Sequence, residues 1–335
     1  MKLEKHFKKL LSEIWLNPNR REKIESAYST WRDKFKENEE LKDIFKEFFQ
    51  QGSYPTKTAI RPQNSLEFDI DAVLLLNLDN NKEPKETLKL IKNVIESYSS
   101  YKGKVKVKDR CVRINYAGDF HMDIVPGKAS EDEYIYIPCK SNEEWQKTNP
   151  KGFKDWFNEK NSDASYKLSK IVQLVKYWRD LKVGKDTAPK SILLSTLLAN
   201  NIVSVNSIAE TLVLTIENLV QNIDSILDEN GQPIVQNPSL EGENLARDWD
   251  NDKFEIFKTK LKKFANDIRA ALNEEDKDTS IDMWRDIFNT KFPKEILEDE
   301  AINFSKFVNA SGTLNTSEGL LIPKHRFYGD INEES

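Results

Sequence analysis

Apolar side chains recur at helical spacing through the first fifty residues. Intervals of three and four positions place such side chains on one face of a helix. The members of this stripe are Leu10, Leu11, Ile14, Ile24, Tyr28 and Trp31. The pattern predicts packed amphipathic helices in this segment, the last of which covers residues 45–49.

The pattern changes after residue 51. Residues 52–65 (GSYPTKTAIRPQNS) are rich in turn formers and contain two prolines, which is typical of a loop. The next segment, LEFDIDAVLLLNL at 66–78, carries a run of Val and Leu. Such a run predicts a strand that is buried on both faces.

A helix and several strands follow, and then the strand signals almost end. Residues 84–100 have helical periodicity, residues 104–126 and 133–138 read as strands, and a polar stretch runs to residue 152. Beyond it the pattern predicts helices over 167–180, 191–203, 206–228, 252–273, 281–289 and 294–309, with inter-helix turns near 226–244. This order predicts an α+β protein with two lobes: N-terminal helices and a mixed α/β domain over 1–150, and an all-helical domain over 151–335.

Composition limits the class of protein. The chain has 335 residues, a formal net charge of -5 and 38% hydrophobic residues. This length suits two domains of roughly 100–200 residues, each with a core of its own. Because the chain is slightly acidic, it is not expected to coat nucleic acid by bulk charge, and any contact with phosphates must be local.

The cysteines and the apolar segments bear on the compartment. Cys111 and Cys139 are too far apart in sequence for a CxxC metal pair or a secreted disulfide framework. The N-terminus lacks the continuous apolar run of a signal peptide, and no segment approaches the roughly 20 apolar residues of a membrane span. We therefore expect a cytoplasmic protein that makes no membrane contact.

Two aspartates interrupt the predicted buried strand. Asp69 and Asp71 alternate with Phe68, Ile70 and Ala72, so their carboxylates point to the same face. Two neighbouring carboxylates in an apolar frame repel each other and lose hydration, which a cation or a shared proton relieves. The pair predicts a Mg²⁺ site.

A third carboxylate lies in another apolar strand. Asp123 stands in FHMDIVP at 120–126. If this strand neighbours that of Asp69 and Asp71, the three carboxylates form the ligand set for two Mg²⁺ ions, an arrangement that fits nucleotidyl transfer. Asp123 can then also accept the proton of the attacking hydroxyl.

A Gly-Ser pair precedes these acids. Gly52 and Ser53 follow the helix predicted over 45–49. Glycine allows the backbone to approach a phosphate closely, and serine adds donors to phosphate oxygens. Alone such a pair is usually a turn, so the specific signal is the ordered set of Gly-Ser, Asp-Ile-Asp and a later strand aspartate.

Several further segments support one family. They are GSYPTKTAIRP, FHMDIVP, TNPKGFKDWF, LVKYWRD and NPSLEGENLARDWD. Together with the ordered acids, they resemble the bacterial cGAS/DncV-like nucleotidyltransferases of the DNA-polymerase-beta-type superfamily, from Gly52 to about Asp250. The resemblance implies a polymerase-beta-like core of mixed sheet and helices, a helical domain, and an active site in the cleft between them.

The resemblance also implies an activity. Family members synthesise cyclic di- or trinucleotide second messengers from NTPs in anti-phage defence, with two Mg²⁺ ions that Mn²⁺ can replace and with a downstream effector protein that responds to the product. Two alternatives stay open: a non-cyclising transferase that makes linear oligonucleotides or nucleotidylates protein or RNA, and a non-catalytic nucleotide-binding module. The bases, linkage, trigger and oligomeric state are left open.

The family's residues map onto this sequence one by one. Gly52 and Ser53 match its phosphate-gripping loop, and the three aspartates match its metal ligands. Lys176 in LVKYWRD matches a lysine that holds the donor triphosphate, and Ser191 at the start of SILLSTLL matches a serine that assists it. The other interpretations are a solvated helical lysine and a helix N-cap.

Other polar residues lie near the predicted site. For Lys57, Arg61 and Arg113 we expect surface or structural pairing. For His121 we expect a core or hydrogen-bonded position rather than a role in orienting a carboxylate or touching substrate. Ile192, after Ser191, is aliphatic where the animal synthase carries a stacking aromatic residue.

Overall fold

The computed structural model describes residues 1–61, 68–116, 120–184 and 186–296, and the backbone of two short strands beyond them. The helices are α1 (Glu4–Ile14), α2 (Pro18–Glu37), α3 (Pro84–Ser97), α4 (Pro150–Asp163), α5 (Leu168–Lys182), α6 (Ser191–Asn201), α7 (Ile208–Asn222), α8 (Asn251–Asn273) and α9 (Lys277–Phe288). The strands are β1 (Phe45–Gln51), β2 (Phe68–Leu76), β3 (Val105–Val107), β4 (Val112–Tyr116), β5 (Phe120–Lys128), β6 (Ile135–Cys139), β7 (Glu144–Thr148), β8 (Gln236–Asn237), β9 (Leu240–Asn244), β10 (Leu314–Asn315) and β11 (Leu321–Ile322).

The main sheet is mixed and has the order β1-β2-β5-β4-β3. The central pair, β2 and β5, is parallel, and the pairs on either side of it are antiparallel. β6 pairs with β5, and β7 pairs with the other edge of β6. The sheet and the helices beside it confirm the predicted α+β class.

The two faces of β2 have different partners. Ile70 and Leu74 belong to the core that α2 and α3 form over the sheet. The alternate positions lie on the opposite face. There Val73 packs in a small apolar cluster, and Asp69 and Asp71 precede it on the same face. One face of the sheet therefore builds the core and the other carries the polar groups.

The prediction of a helix over residues 45–49 is wrong, because this segment forms strand β1. Its phenylalanines have a helical spacing, but its backbone pairs antiparallel with β2, from Phe45 beside Leu76 to Gln51 beside Asp71. Pairing with a buried central strand outweighs local periodicity. The correction matters for the site, since it places the residues after Gln51 next to Asp71.

Two polar segments also form strands that the sequence pattern missed. β7 lies in the polar stretch before α4 and pairs with β6. β8 and β9 form a small hairpin in the region predicted as inter-helix turns. Edge and hairpin strands of this kind bury little apolar surface, so they show no hydrophobic alternation.

The helices after residue 150 share a second core. Phe157, Leu174, Leu197 and Phe264 belong to it. The N-terminal helix α1 also packs there, through side chains that include Phe7. The division into domains 1–150 and 151–335 stays a prediction, and the helix predicted over 294–309 lies outside the described residues except for 294–296, which are not helical.

No helix in the described ranges is both long and apolar enough to cross a bilayer. Cys111 and Cys139 are both buried free thiols.

Candidate active site

The parallel pairing of β2 and β5 brings the predicted acids together. Asp71 lies directly beside Asp123, and Asp69 lies beside His121. Because side chains alternate along a strand, the three carboxylates share one face of the sheet. The side chain of Asp123 is buried and that of Asp69 is exposed, so the acids extend from the sheet to solvent.

Arg113 compensates part of this negative charge. It stands on β4 opposite Asp123. Its Nε donates to Asp123 Oδ1 at 2.7 Å and its Nη2 to Asp123 Oδ2 at 2.7 Å. Nη2 also lies 2.9 Å from Asp69 Oδ1. The structural pairing expected for Arg113 is present, and its partners are two of the candidate site acids, which the sequence did not indicate.

Burial and the neighbouring charges shift the pKa of Asp71. Removal from water raises the pKa of Asp71 to about 7, and the negative charges of Asp123 and Asp69 add to this effect while Arg113 opposes it. Burial, with a further contribution from Asp123, raises the pKa of the Cys111 thiol to about 12. Three carboxylates and one guanidinium leave the site with excess negative charge.

These acids have the chemistry of a magnesium site, because Mg²⁺ prefers carboxylate oxygens. The excess negative charge and the raised pKa of Asp71 are what an added cation would relieve. Within the described ranges, no three acidic, His or Cys side chains are arranged to hold a metal ion in the present conformation. Asp69 and Asp123 are engaged by Arg113, so binding of a cation requires these ion pairs to rearrange.

Gly52 explains why the chain turns closely beside Asp71. β1 ends at Gln51, the partner of Asp71, and Gly52 follows with φ +75°. A Cβ on Gly52 would lie 3.0 Å from Asp71 Oδ2. The position therefore requires glycine for both its backbone conformation and its space.

The loop after Gly52 folds back on the carbonyl of Ser53. Ser53 O accepts the amide of Thr58 at 2.9 Å and that of Ala59 at 3.1 Å. The buried hydroxyls of Thr56 and Thr58 lie 3.0 Å apart. Residues 52–59 thus form a compact turn beside Asp71, which we call the Gly-Ser loop.

Lys176 contacts the Gly-Ser loop from helix α5. It is buried on α5 and its Nζ donates to Thr58 O at 2.9 Å. Burial, with the charge of Arg179, lowers the pKa of Lys176 to about 8. The structure thus brings Lys176 to the loop, and the solvated lysine of the alternative interpretation is wrong.

Ser191 is the first residue of α6, and the N-cap position belongs to Lys190. Ser191 Oγ accepts from Arg179 Nη1 at 3.2 Å. Arg179 is one turn beyond Lys176 on α5. Ser191 is therefore linked to the loop through Arg179 and helix α5.

The remaining polar residues have structural contacts. Arg61 Nε donates to Trp15 O at 2.5 Å, and the Lys57 carbonyl accepts from Gln173 Nε2 at 2.9 Å. Gln173 was not among the residues predicted from the sequence. A polar residue within the apolar run IVQLV is the pattern that could have indicated it.

The sequence is similar to known synthases of cyclic nucleotides. The profile of the Second Messenger Oligonucleotide or Dinucleotide Synthetase domain matches residues 1–161. A cyclic AMP-AMP-AMP synthase of an Acinetobacter strain is 27% identical over 299 residues, which are 88% of this chain and 86% of that protein. A c-di-GMP synthase of Roseivirga ehrenbergii is 32% identical over 239 residues, which are 63% of each chain.

Solved structures share the fold. The CD-NTase CdnG of Bradyrhizobium diazoefficiens in complex with GTP has a TM-score of 0.73 at 20% identity, over 87% of this chain and 96% of that one. CdnC of Escherichia coli MS115-1 with ATP has a TM-score of 0.72 at 18% identity, over 87% and 98%. These likenesses show a common fold with a polymerase-beta-like core. Residues 1–161 thus match the synthetase domain, and the chain is similar over 88% of its length to a cyclic AMP-AMP-AMP synthase.

Proposed function

We propose that this chain is a Mg²⁺-dependent nucleotidyltransferase that joins NTPs into a cyclic di- or trinucleotide. The observation that carries the proposal is the register that sets Asp71 beside Asp123, with Gly52 against the Asp71 carboxylate. Relatives named as synthases of cyclic nucleotides support the reaction class.

Each bond is formed in one displacement. A ribose hydroxyl of the acceptor attacks the α-phosphorus of the donor NTP, a phosphodiester forms, and the bond to the β-phosphate breaks to release pyrophosphate. Asp123 accepts the proton of the attacking hydroxyl. A second displacement within the linear product, or a third for a trinucleotide, closes the ring.

The chain's other site residues hold the reactants. Asp69, Asp71 and Asp123 are the proposed holders of two Mg²⁺ ions, for which Mn²⁺ can substitute. Bound ions neutralise phosphate charge and lower the pKa of the attacking hydroxyl. Gly52 and Ser53 present backbone and hydroxyl donors to the donor phosphates, Lys176 adds positive charge from behind the loop, and Ser191 adds a hydroxyl.

The wider role is also part of the proposal. We place the enzyme in the cytoplasm and in bacterial anti-phage defence, where a separate effector protein responds to the cyclic product. We also propose that residues 1–150 and 151–335 are the two domains whose cleft holds the NTPs. The resemblance of the sequence motifs supports these statements.

The test is product formation. The purified protein is incubated with all four NTPs and Mg²⁺, treated with phosphatase, and analysed by mass spectrometry. We expect a phosphatase-resistant cyclic product, whose mass identifies the bases, and its loss in an Asp69→Asn, Asp71→Asn double variant. Linear products alone would contradict cyclisation, and full activity of the double variant would contradict the assigned site.

A further inference from the structure

Helix α5 contacts the Gly-Ser loop through two polar side chains. Gln173 Nε2 donates to Lys57 O at 2.9 Å and reaches Ala59 O at 3.4 Å. Lys176 Nζ donates to Thr58 O between them. Three successive carbonyls of the loop therefore accept hydrogen bonds from two side chains one helical turn apart.

These contacts lie in a buried region. Gln173 and Lys176 are each 6% exposed, and Thr56 and Thr58 of the loop are 5% and 3% exposed. A buried carbonyl that loses its donor keeps the full cost of its removal from water. The loop conformation and the two α5 side chains thus depend on each other.

The contacts continue to Ser53. The peptide groups of residues 57–59 accept from α5 on one side, and the amides of Thr58 and Ala59 donate to Ser53 O on the other. A shift of these peptides must move the carbonyl of Ser53. Because a Cβ on Gly52 would lie 3.0 Å from Asp71 Oδ2, Gly52 is close to this carboxylate and the same shift alters the loop relative to the acids.

We propose that Gln173 is a positioning residue for the donor nucleotide, acting through the Gly-Ser loop. The proposal rests on the function proposed above. The side-chain amide of Gln173 binds two loop carbonyls, and the carbonyl between them accepts from Lys176. Unlike Lys176, Gln173 carries no charge. Gln173 fixes the direction in which Ser53 presents its donors to phosphate, while Lys176 supplies the positive charge.

The test is the Gln173→Met variant, which keeps the length of the side chain and removes both donors. Misplacement of donor groups by small distances lowers turnover, so kcat is expected to fall about tenfold with KM for NTP changed less than about threefold. The matched control is Asn218→Leu. Asn218 is half-buried on α7, where its Nδ2 donates to Asn201 O at 3.1 Å and its Oδ1 accepts from Asn222 Nδ2 at 3.1 Å.

Two further readouts separate positioning from general stability. Hydrogen exchange of the peptide spanning 53–59 is expected to quicken in Gln173→Met and not in Asn218→Leu. In a Ser53→Ala background the Gln173→Met substitution is expected to lower kcat less than about twofold, because residues that act through one group are not additive.

Each contrary result contradicts one step of the proposal about Gln173. Unchanged exchange at 53–59 would show that Gln173 does not hold the loop, and faster exchange with unchanged kcat would show that the hold does not position nucleotide. If the effects of Gln173→Met and Ser53→Ala on kcat were fully additive, Gln173 would act on turnover independently of Ser53. If the wild-type protein forms no product, the proposed function fails, and exchange alone then decides whether Gln173 holds the loop.

Discussion

Single residues decide the geometry of the site, and Gly52 is the clearest case. Its positive φ disfavours a side chain, and a Cβ there would lie 3.0 Å from Asp71 Oδ2. Arg113 is a second case, since it pairs with Asp69 and Asp123 at once. Lys176 is a third, because its ammonium is buried against a backbone carbonyl. Each can be tested by one substitution.

Gly52→Ala is expected to lower kcat/KM by about tenfold or more. The new Cβ meets Asp71 Oδ2 at 3.0 Å, which displaces the loop or the carboxylate, and a positive φ adds about 1 kcal/mol of strain. The control is Gly103→Ala, which has φ +76° and nothing within 4 Å of its Cβ. It shares the strain and not the contact, so equal losses of activity in both variants would contradict the role of Gly52.

Lys176 is expected to make stability depend on pH. Its pKa is about 8 in the folded chain, below the ordinary 10.5, so between these values the unfolded chain binds more protons and stability rises with pH. From pH 8 to 9.5 the wild type should gain roughly 1–2 kcal/mol of unfolding free energy relative to Lys176→Met. Urea titrations at both pH values measure this difference, and parallel curves would refute it.

At the scale of elements, the pairing of strands explains why the site forms. β2 and β5 bring residues 52 positions apart into register, as Asp71 and Asp123 show. β1 delivers the Gly-Ser loop and β4 delivers Arg113 to the same place. Four neighbouring strands each contribute one part, so the site depends on the order of the sheet.

The charge balance across β4 and β5 gives a prediction for Arg113→Met. Removing the guanidinium leaves Asp69 and Asp123 without their ion pairs, and we expect a loss of about 2 kcal/mol or more in stability without added cation. Added Mg²⁺ should raise the thermal midpoint more in this variant than in the wild type. The measurement is thermal unfolding with and without Mg²⁺.

An Arg113→Met, Asp71→Asn variant provides the comparison, because it removes one proposed ligand. We expect Mg²⁺ to stabilise it less than Arg113→Met alone. An equal response of both variants to Mg²⁺ would mean that the ion binds elsewhere.

At the scale of the whole molecule, two cores meet at the Gly-Ser loop. One core lies between the sheet and helices α2 and α3, and the other joins α4–α9 with α1. Helix α5 belongs to the second core and donates to the loop that borders the first. Both cores are therefore needed to place the candidate site residues.

The position of α1 gives a prediction for the helical core. Phe7 is fully buried and packs edge-on against Trp284 and Phe292. Phe7→Ala should lower the unfolding free energy by about 3–5 kcal/mol, and Phe7→Leu by clearly less, because a cavity costs more than a change of shape. Urea unfolding measures both values. A loss below about 1 kcal/mol for Phe7→Ala would show that α1 adds little to this core.

The sequence alone determined the fold class and the acidic residues, because carboxylates in apolar strands stand out from their surroundings. The spacing of Asp69 and Asp71 and the later Asp123 needed no coordinates, and the relatives named as cyclic nucleotide synthases agree with the reaction class that the motifs implied. Local patterns of this kind follow from the period of a strand and from the desolvation of charge.

Only the tertiary structure decided which parts meet. Residues 45–49 have the spacing of a helix and form strand β1, because pairing with β2 outweighs a local period. Arg113 and Gln173 look like ordinary surface or helical residues in the sequence, yet one pairs with the acids and the other holds the Gly-Ser loop. Such contacts join residues far apart in the chain, and a one-dimensional pattern contains no information about long-range partners.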